Sequence, residues 1–276
     1  MVLRLSAFSC LLAIAGARGT SLPETPHASL EVRTIATSAA LEGPVLALAA
    51  LPGERLALLT RDTVRVFRWR NGELAPLGER VLVELEPVRS PGGLLLAKED
   101  ALWVLRSGRA RAVLLAFDEA GGLLERVQAD VMPWPACPHG LRYRAGTNLI
   151  EGEAEGLGGG PFLAVAAGVA VDAEGRLLVG TASGPRPSAL RAGPVLVSLG
   201  DRLFAAASAA PPGPRDTVFL LQRSGDELRL LEELPVEGAV RALACAPLAG
   251  SVRLVAAVEG ADRVRLIMFE IRRGDR

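Results

Sequence analysis

The sequence is short of the side chains that most often do chemistry. It has two histidines, His27 and His139, two asparagines, Asn71 and Asn148, one tyrosine, Tyr143, and one lysine, Lys98. Zinc takes four protein ligands, or three and a water, and no Cys-x-x-Cys pair stands in for the missing imidazoles. The nearest approach is Cys137 with His139 and the alternating Glu151, Glu153 and Glu155, which falls short of such a set. A Ser-His-Asp triad would have to use His27 or His139, and no Gly-x-Ser-x-Gly elbow occurs. The Gly-rich run 156–161 lacks the Gly-Lys-Ser/Thr of a phosphate loop. No catalytic residue, metal ligand or cofactor is therefore assigned.

Excess charge is missing too. The 31 basic residues balance 31 acidic ones, so nothing is left over to neutralise a phosphate backbone, and nucleic acid is excluded as a partner. Every basic residue but Lys98 is arginine, spread along the chain rather than clustered. That reads as compositional bias, not as a designed set of anion forks. After the first residues no apolar run reaches the roughly 18 residues needed to cross a bilayer, so no stable transmembrane span is expected after a signal is removed.

What is present is a core and a rhythm. Half of the 276 residues are hydrophobic and 22% are charged, enough apolar surface for a sizeable core. Turn signals recur every few residues: Pro52-Gly53, Asn71-Gly72, Gly121-Gly122, Ser224-Gly225-Asp226. Between them lie apolar runs of five to nine residues, such as RLALLT (55–60), AVLLAF (112–117) and TVFLLQR (217–223). TVRVFRWR (63–70) nearly alternates between apolar residues and arginines. Short runs bounded by turns predict strands. The Ala-rich 203–210 is the exception, because alanine favours helix.

The strands repeat. RDTVRVFRWRNGEL (61–74) and RDTVFLLQRSGDEL (215–228) match in length and share both ends, and a looser copy lies at 251–274. A separation of 154 positions fits four units of roughly 40 residues. The expected fold is all-β: a β-propeller of about five or six blades, each a four-stranded antiparallel meander, forming a single domain over 28–272. VAVDAEGRLLVG (169–180) resembles the strand-turn-strand signature of NHL and sugar-lactonase-like propeller repeats. Asp172 is expected to cap the turn and Gly175 to take a positive φ. Lengths and rhythm are also similar to FG-GAP-type exported propellers, without their calcium-binding Asp-x-Asp-x-Asp-Gly loops. The resemblance implies a bacterial exported β-propeller.

The rhythm stops at 131–161. Pro133, Pro135 and Pro138 oppose a regular strand, so an irregular insertion is expected there. Insertions of this length are often functional. Trp134 and Tyr143 are candidate stacking faces. His139, Arg142, Arg144 and Asn148 complete the candidate ligand-binding set, the arginines and Asn148 suiting an anionic or hydroxylated ligand. The bland alternative is a surface loop anchored by Trp134, with or without a link from Cys137 to Cys245.

Arg4, the apolar stretch from Leu5 to Ala15 and small residues at 15–17 read in order as a signal peptide over 1–19, cut after Ala17 or Gly19. The alternative is a buried N-terminal element. Export to the periplasm or outside would leave Cys137 and Cys245 in an oxidising compartment, as a disulfide or as two buried thiols. The sequence thus points to a non-enzymatic exported module that binds a protein or cell-envelope component. The alternatives are a metal-dependent propeller hydrolase or lactonase, and an incomplete propeller completed by a partner.

Overall fold

The computed structural model describes residues 30–38, 40–41, 43–70, 73–82, 93–98, 101–107, 111–118, 123–129, 131–133, 140–147, 149–154, 156–200, 202–209, 214–261 and 263–273. The predicted signal peptide lies outside them. Among the described residues there is no helix.

Strand β1 (Leu30–Thr37) comes first. Blade one is the meander β2 (Val45–Leu51), β3 (Arg55–Thr60), β4 (Thr63–Arg70) and β5 (Glu73–Val81). Blade two is β6 (Gly93–Lys98), β7 (Ala101–Ser107), β8 (Ala112–Phe117) and β9 (Leu123–Ala129). Short strands follow: β10 (Val131–Pro133), β11 (Arg142–Arg144), β12 (Leu149–Glu151), β13 (Glu153–Ala154) and β14 (Gly158–Gly159). Blade three is β15 (Phe162–Ala166), β16 (Val169–Asp172), β17 (Arg176–Thr181) and the first half of β18 (Gly184–Gly200). The second half of β18 opens blade four with β19 (Leu203–Ser208), β20 (Asp216–Ser224) and β21 (Glu227–Val236). Blade five is β22 (Ala239–Leu248), β23 (Ser251–Glu259) and β24 (Val264–Arg273), completed by β1. β1 pairs antiparallel with β24 from Leu30↔Arg273 to Thr37↔Ile267.

The alternation of side chains along a strand explains the ring. In β3, Leu56 and Leu58 pack against blade five, while Ala57 and Leu59 pack against blade two. In β19, Leu203, Ala205 and Ala207 face blade five, and Phe204 and Ala206 face blade three. In β23, Leu254, Ala256 and Val258 face blade four, and Val255 and Ala257 face blade one. Both faces of a middle strand are buried, which is why these strands read as unbroken apolar runs rather than alternating ones. Five shared cores then join blade one to two, two to three, three to four, four to five and five to one. The arrangement is a β-propeller of five four-stranded blades.

The repeat falls where it should. Arg61-Asp62 and Arg215-Asp216 both lead from the second strand of a blade into the third. They lie three blades apart, however, not four. The segment 131–161 takes up the remaining length. The Ala-rich run, open to helix on propensity, is the buried strand β19 with Phe204 2% exposed, because its side chains point alternately to two neighbouring blades and are covered on both faces.

Asp172 behaves as its motif predicts. Its Oδ1 accepts the N–H groups of Glu174 at 3.0 Å and Arg176 at 2.8 Å, its Oδ2 accepts Arg176 Nε at 2.6 Å, and Gly175 has φ +78°. Burial alone would raise the Asp172 pKa. The hydrogen bonds from Arg176 and Glu174 outweigh it and hold the carboxyl below the ordinary value.

Candidate ligand-binding site

Two places in a propeller can hold a ligand: the central channel and the loops beside it. Around the channel the first strands approach one another, β2 beside β22 and β6, β18 beside β22 and β15. Their sequences are VLALAAL, GLLLAK, FLAVA, AGPVLVSLG and AVRALACAPL. None contains Asp, Glu, His or Asn. Cys245, on β22, is a free cysteine, and its Sγ lies 2.9 Å from the carbonyl oxygen of Ser198. Burial pushes its thiol pKa up, which keeps it a weak donor and a poor nucleophile. Cys137, the other half of the expected disulfide, lies outside the described residues.

The predicted site residues that the structure describes lie instead on the segment after blade two. β11 reads Arg-Tyr-Arg and is half-buried by alternation, so its residues part company. Tyr143 points inward and is 2% exposed. It packs with Leu105 and Leu114 of blade two, with Phe162 and Ala170 of blade three, and with Leu141, Ile150 and Leu157 of its own segment. Burial raises its hydroxyl pKa, and a hydrogen bond with Ser107 offsets part of that. Ser107 Oγ also accepts the Gly146 N–H at 3.1 Å. The only tyrosine is thus a core residue that joins two blades, not an open stacking face.

Arg142 and Arg144 point the other way, into solvent. β11 is held on both sides. Arg142 sits opposite Pro133 of β10 and Glu151 of β12, and Arg144 opposite Val131 and Leu149. The β11–β12 turn is closed by Thr147, whose Oγ1 donates to the Arg144 carbonyl at 3.1 Å and accepts the Leu149 N–H at 3.3 Å. Arg144 Nε donates to Glu151 Oε1 at 2.6 Å. That bond keeps the Glu151 pKa low.

These side chains border an open cleft of about 340 Å³, lined by Val131, Gly140, Arg142, Arg144, Glu151 and Gly152. Its floor is bare backbone. Gly152 has φ +113°, and a Cβ there would lie 2.2 Å from the Gly140 carbonyl oxygen, so the two chains touch at a distance only glycine permits. Of the predicted site residues, the structure brings Arg142 and Arg144 to one cleft and buries Tyr143. Trp134, His139 and Asn148 lie outside the described residues. Glu151 and the two glycines were not singled out for this cleft by sequence. The cross-strand pairing that joins Glu151 to the arginines depends on the turn at 145–147, and three-residue strands on either side of it give no alternation long enough to read. The insertion that the prolines suggested carries short strands, with Pro133 at the end of β10. Among the described residues no group of three His, Cys, Asp or Glu is placed to hold a metal.

No protein-family model matches the sequence, and no curated protein does. Solved structures do. The PQQ-bound aldose sugar dehydrogenase of Streptomyces coelicolor is 14% identical, with a TM-score of 0.56 over 90% of this chain and all of that one. The RRP9 WD40 repeats are 14% identical, TM-score 0.47, over 87% of this chain and all of that one. A 6-phosphogluconolactonase from Bacteroides fragilis, 12% identical, has a TM-score of 0.44 over 77% of this chain and 76% of that one. The likeness is one of propeller fold. A shared fold does not carry a function, so the choice between catalysis and binding rests on residues.

Proposed function

We propose that this chain is a non-enzymatic binding module of the bacterial cell envelope, exported to the periplasm or beyond and built on a propeller of the NHL-like or FG-GAP-like kind. It engages a protein or envelope component through the cleft beside β11. One observation carries the reading: the five channel strands hold no carboxylate, imidazole or carboxamide, while a cleft on 131–152 gathers two guanidinium groups and a carboxylate. A propeller hydrolase acting through a channel metal needs oxygen and nitrogen ligands on those inner strands, and here they offer chiefly methyl and methylene groups. The five shared cores favour a ring complete within one chain over one that a partner must finish.

The test is fractionation and cross-linking of the full chain in a Gram-negative host. The expected result is a mature mass beginning near residue 18 or 20, recovery from the periplasm, and a discrete envelope adduct. That adduct should fade in Arg142→Ala with the melting temperature unchanged. An uncut cytoplasmic protein, or turnover of a lactone by the purified chain, would overturn the proposal.

A further inference from the structure

We infer that the cleft beside β11 receives a single carboxylate carried on a partner polypeptide, with Arg142 as the group that grips it. This deepens the binding reading above and rests on it.

The charge balance comes first. The cleft holds two guanidinium groups and one carboxylate. Arg144 and Glu151 are committed to each other at 2.6 Å. No described residue pairs with the Arg142 guanidinium. One positive charge is left over, on the side chain whose planar fork matches a carboxylate with two parallel hydrogen bonds.

Glu151 then chooses among anions. It lines the same cleft, and its bond to Arg144 keeps it ionised. A phosphate dianion would bring two negative charges to a site with one to spare and would face the Glu151 carboxylate. A carboxylate brings one. Position is settled as well: β11 is paired on both sides, and Tyr143 is locked into the core directly behind the arginines. The stem of Arg142 therefore starts from a fixed point, which lowers the cost of ordering it on binding.

The shape says what carries the carboxylate. Sites for free small molecules bury most of the ligand against largely apolar walls. Here the apolar wall is Val131, the floor is the backbone of Gly140 and Gly152, and the cleft opens to solvent. So little enclosure cannot hold a small acid firmly. The carboxylate must arrive on a chain that makes further contacts outside the cleft, either as its C-terminus or as an Asp or Glu side chain.

Four versions of a degenerate octapeptide library separate the sources, titrated against the full chain at low and high salt. One ends in a free carboxylate, one is amidated with an internal Glu, one is amidated with Gln in its place, and one is amidated with phosphoserine. The expected result is binding of one or both carboxylate versions, at least tenfold weaker in Arg142→Ala, partly restored in Arg142→Lys, and several-fold weaker at high salt. Which of the two binds identifies the source. Equal binding of all four, preference for phosphoserine, no binding of any version, or an unaffected Arg142→Ala overturns the inference. If the envelope adduct persists in those cases, the binding module stands and only its carboxylate chemistry falls. If the adduct is absent too, both fall.

Discussion

The ring is joined in two unlike ways at its two unusual seams. Between blades five and one, the chain closes with a borrowed strand: β1 lies along β24 over nearly its whole length, with one register shift between Thr34 and Ala36. Ser38 extends the seam, its N–H donating to the Leu266 carbonyl at 2.9 Å and its Oγ accepting the Leu266 N–H at 2.9 Å. Between blades two and three there is no such ladder among the described residues. The seam is a wedge of short strands, and a single backbone pair, Ile150↔Phe162, ties β12 to blade three. What holds it, besides the bond from the Thr181 N–H to the Gly156 carbonyl at 3.1 Å, is side chains, Tyr143, Ile150, Leu157 and Phe162, driven into a common core. At the ladder, β1 is the outer strand of its sheet, joined along one edge to β24. A plugged seam buries one face of each short strand and leaves the other free, and on that free face the cleft is found.

Removing residues 30–37 should have the largest effect. It strips β24 of its outer partner and uncovers the core around Phe269 and Ile271, which Leu30 and Val32 partly cover. Losses of that kind consume most of a domain's stability, about 5–15 kcal/mol. Chemical denaturation should show a collapsed or absent cooperative transition. A transition close to wild type would mean that the seam closes without β1.

At the wedge, Tyr143→Ala should cost about 3–5 kcal/mol, as for other large buried rings, while Arg142→Ala two atoms of backbone turn away stays within about 0.5 kcal/mol. Denaturant midpoints of the two variants decide whether the segment is half core and half site. Equal midpoints would contradict that division.

The two copies of Arg-Asp-Thr sharpen the contrast between seams further. Asp216 accepts the Ser208 hydroxyl and the Thr217 N–H, and its second oxygen accepts the Val240 N–H of blade five at 2.9 Å. In the shorter turn at Thr60 the threonine hydroxyls bond each other at 2.8 Å, and the exposed Asp62 carboxylate makes no hydrogen bond among the described residues. Asp216→Ala strands backbone donors and should cost about 2–3 kcal/mol. Asp62→Ala should cost less than about 1 kcal/mol. The same motif is thus a tie between blades in one copy and a solvated turn in the other.

The smallest effect is one of pH. Asp172 has a folded pKa below its unfolded value of roughly 3.9, so its contribution is present above that value and fades as pH falls through the folded pKa. Acid titration of Asp172→Asn should show a shallower loss of stability below about pH 4 than wild type. Parallel curves would remove Asp172 from the account.

Much of the ring was legible. Apolar runs between turn residues gave the strands, the Arg-Asp-Thr-Val repeat marked equivalent turns, and Asp172 with Gly175 behaved as a dozen residues had promised. What stayed hidden was non-local. Nothing in LEVRTIAT says that it pairs with a strand more than 200 positions away. The blade count was blurred because 131–161 approaches the length of a blade, while its described strands are only two or three residues long. Arg-Tyr-Arg is three residues, too short for alternation to show which side is core until blades two and three close around Tyr143.

Native-state hydrogen exchange of the full chain tests the closed ring most directly. The β1 amides that bond to β24, and the amides of β24, should exchange only through global unfolding, with the same protection as those of β23. Fast exchange in β1, with β23 still protected, would show a ring left open at the seam on which this account depends.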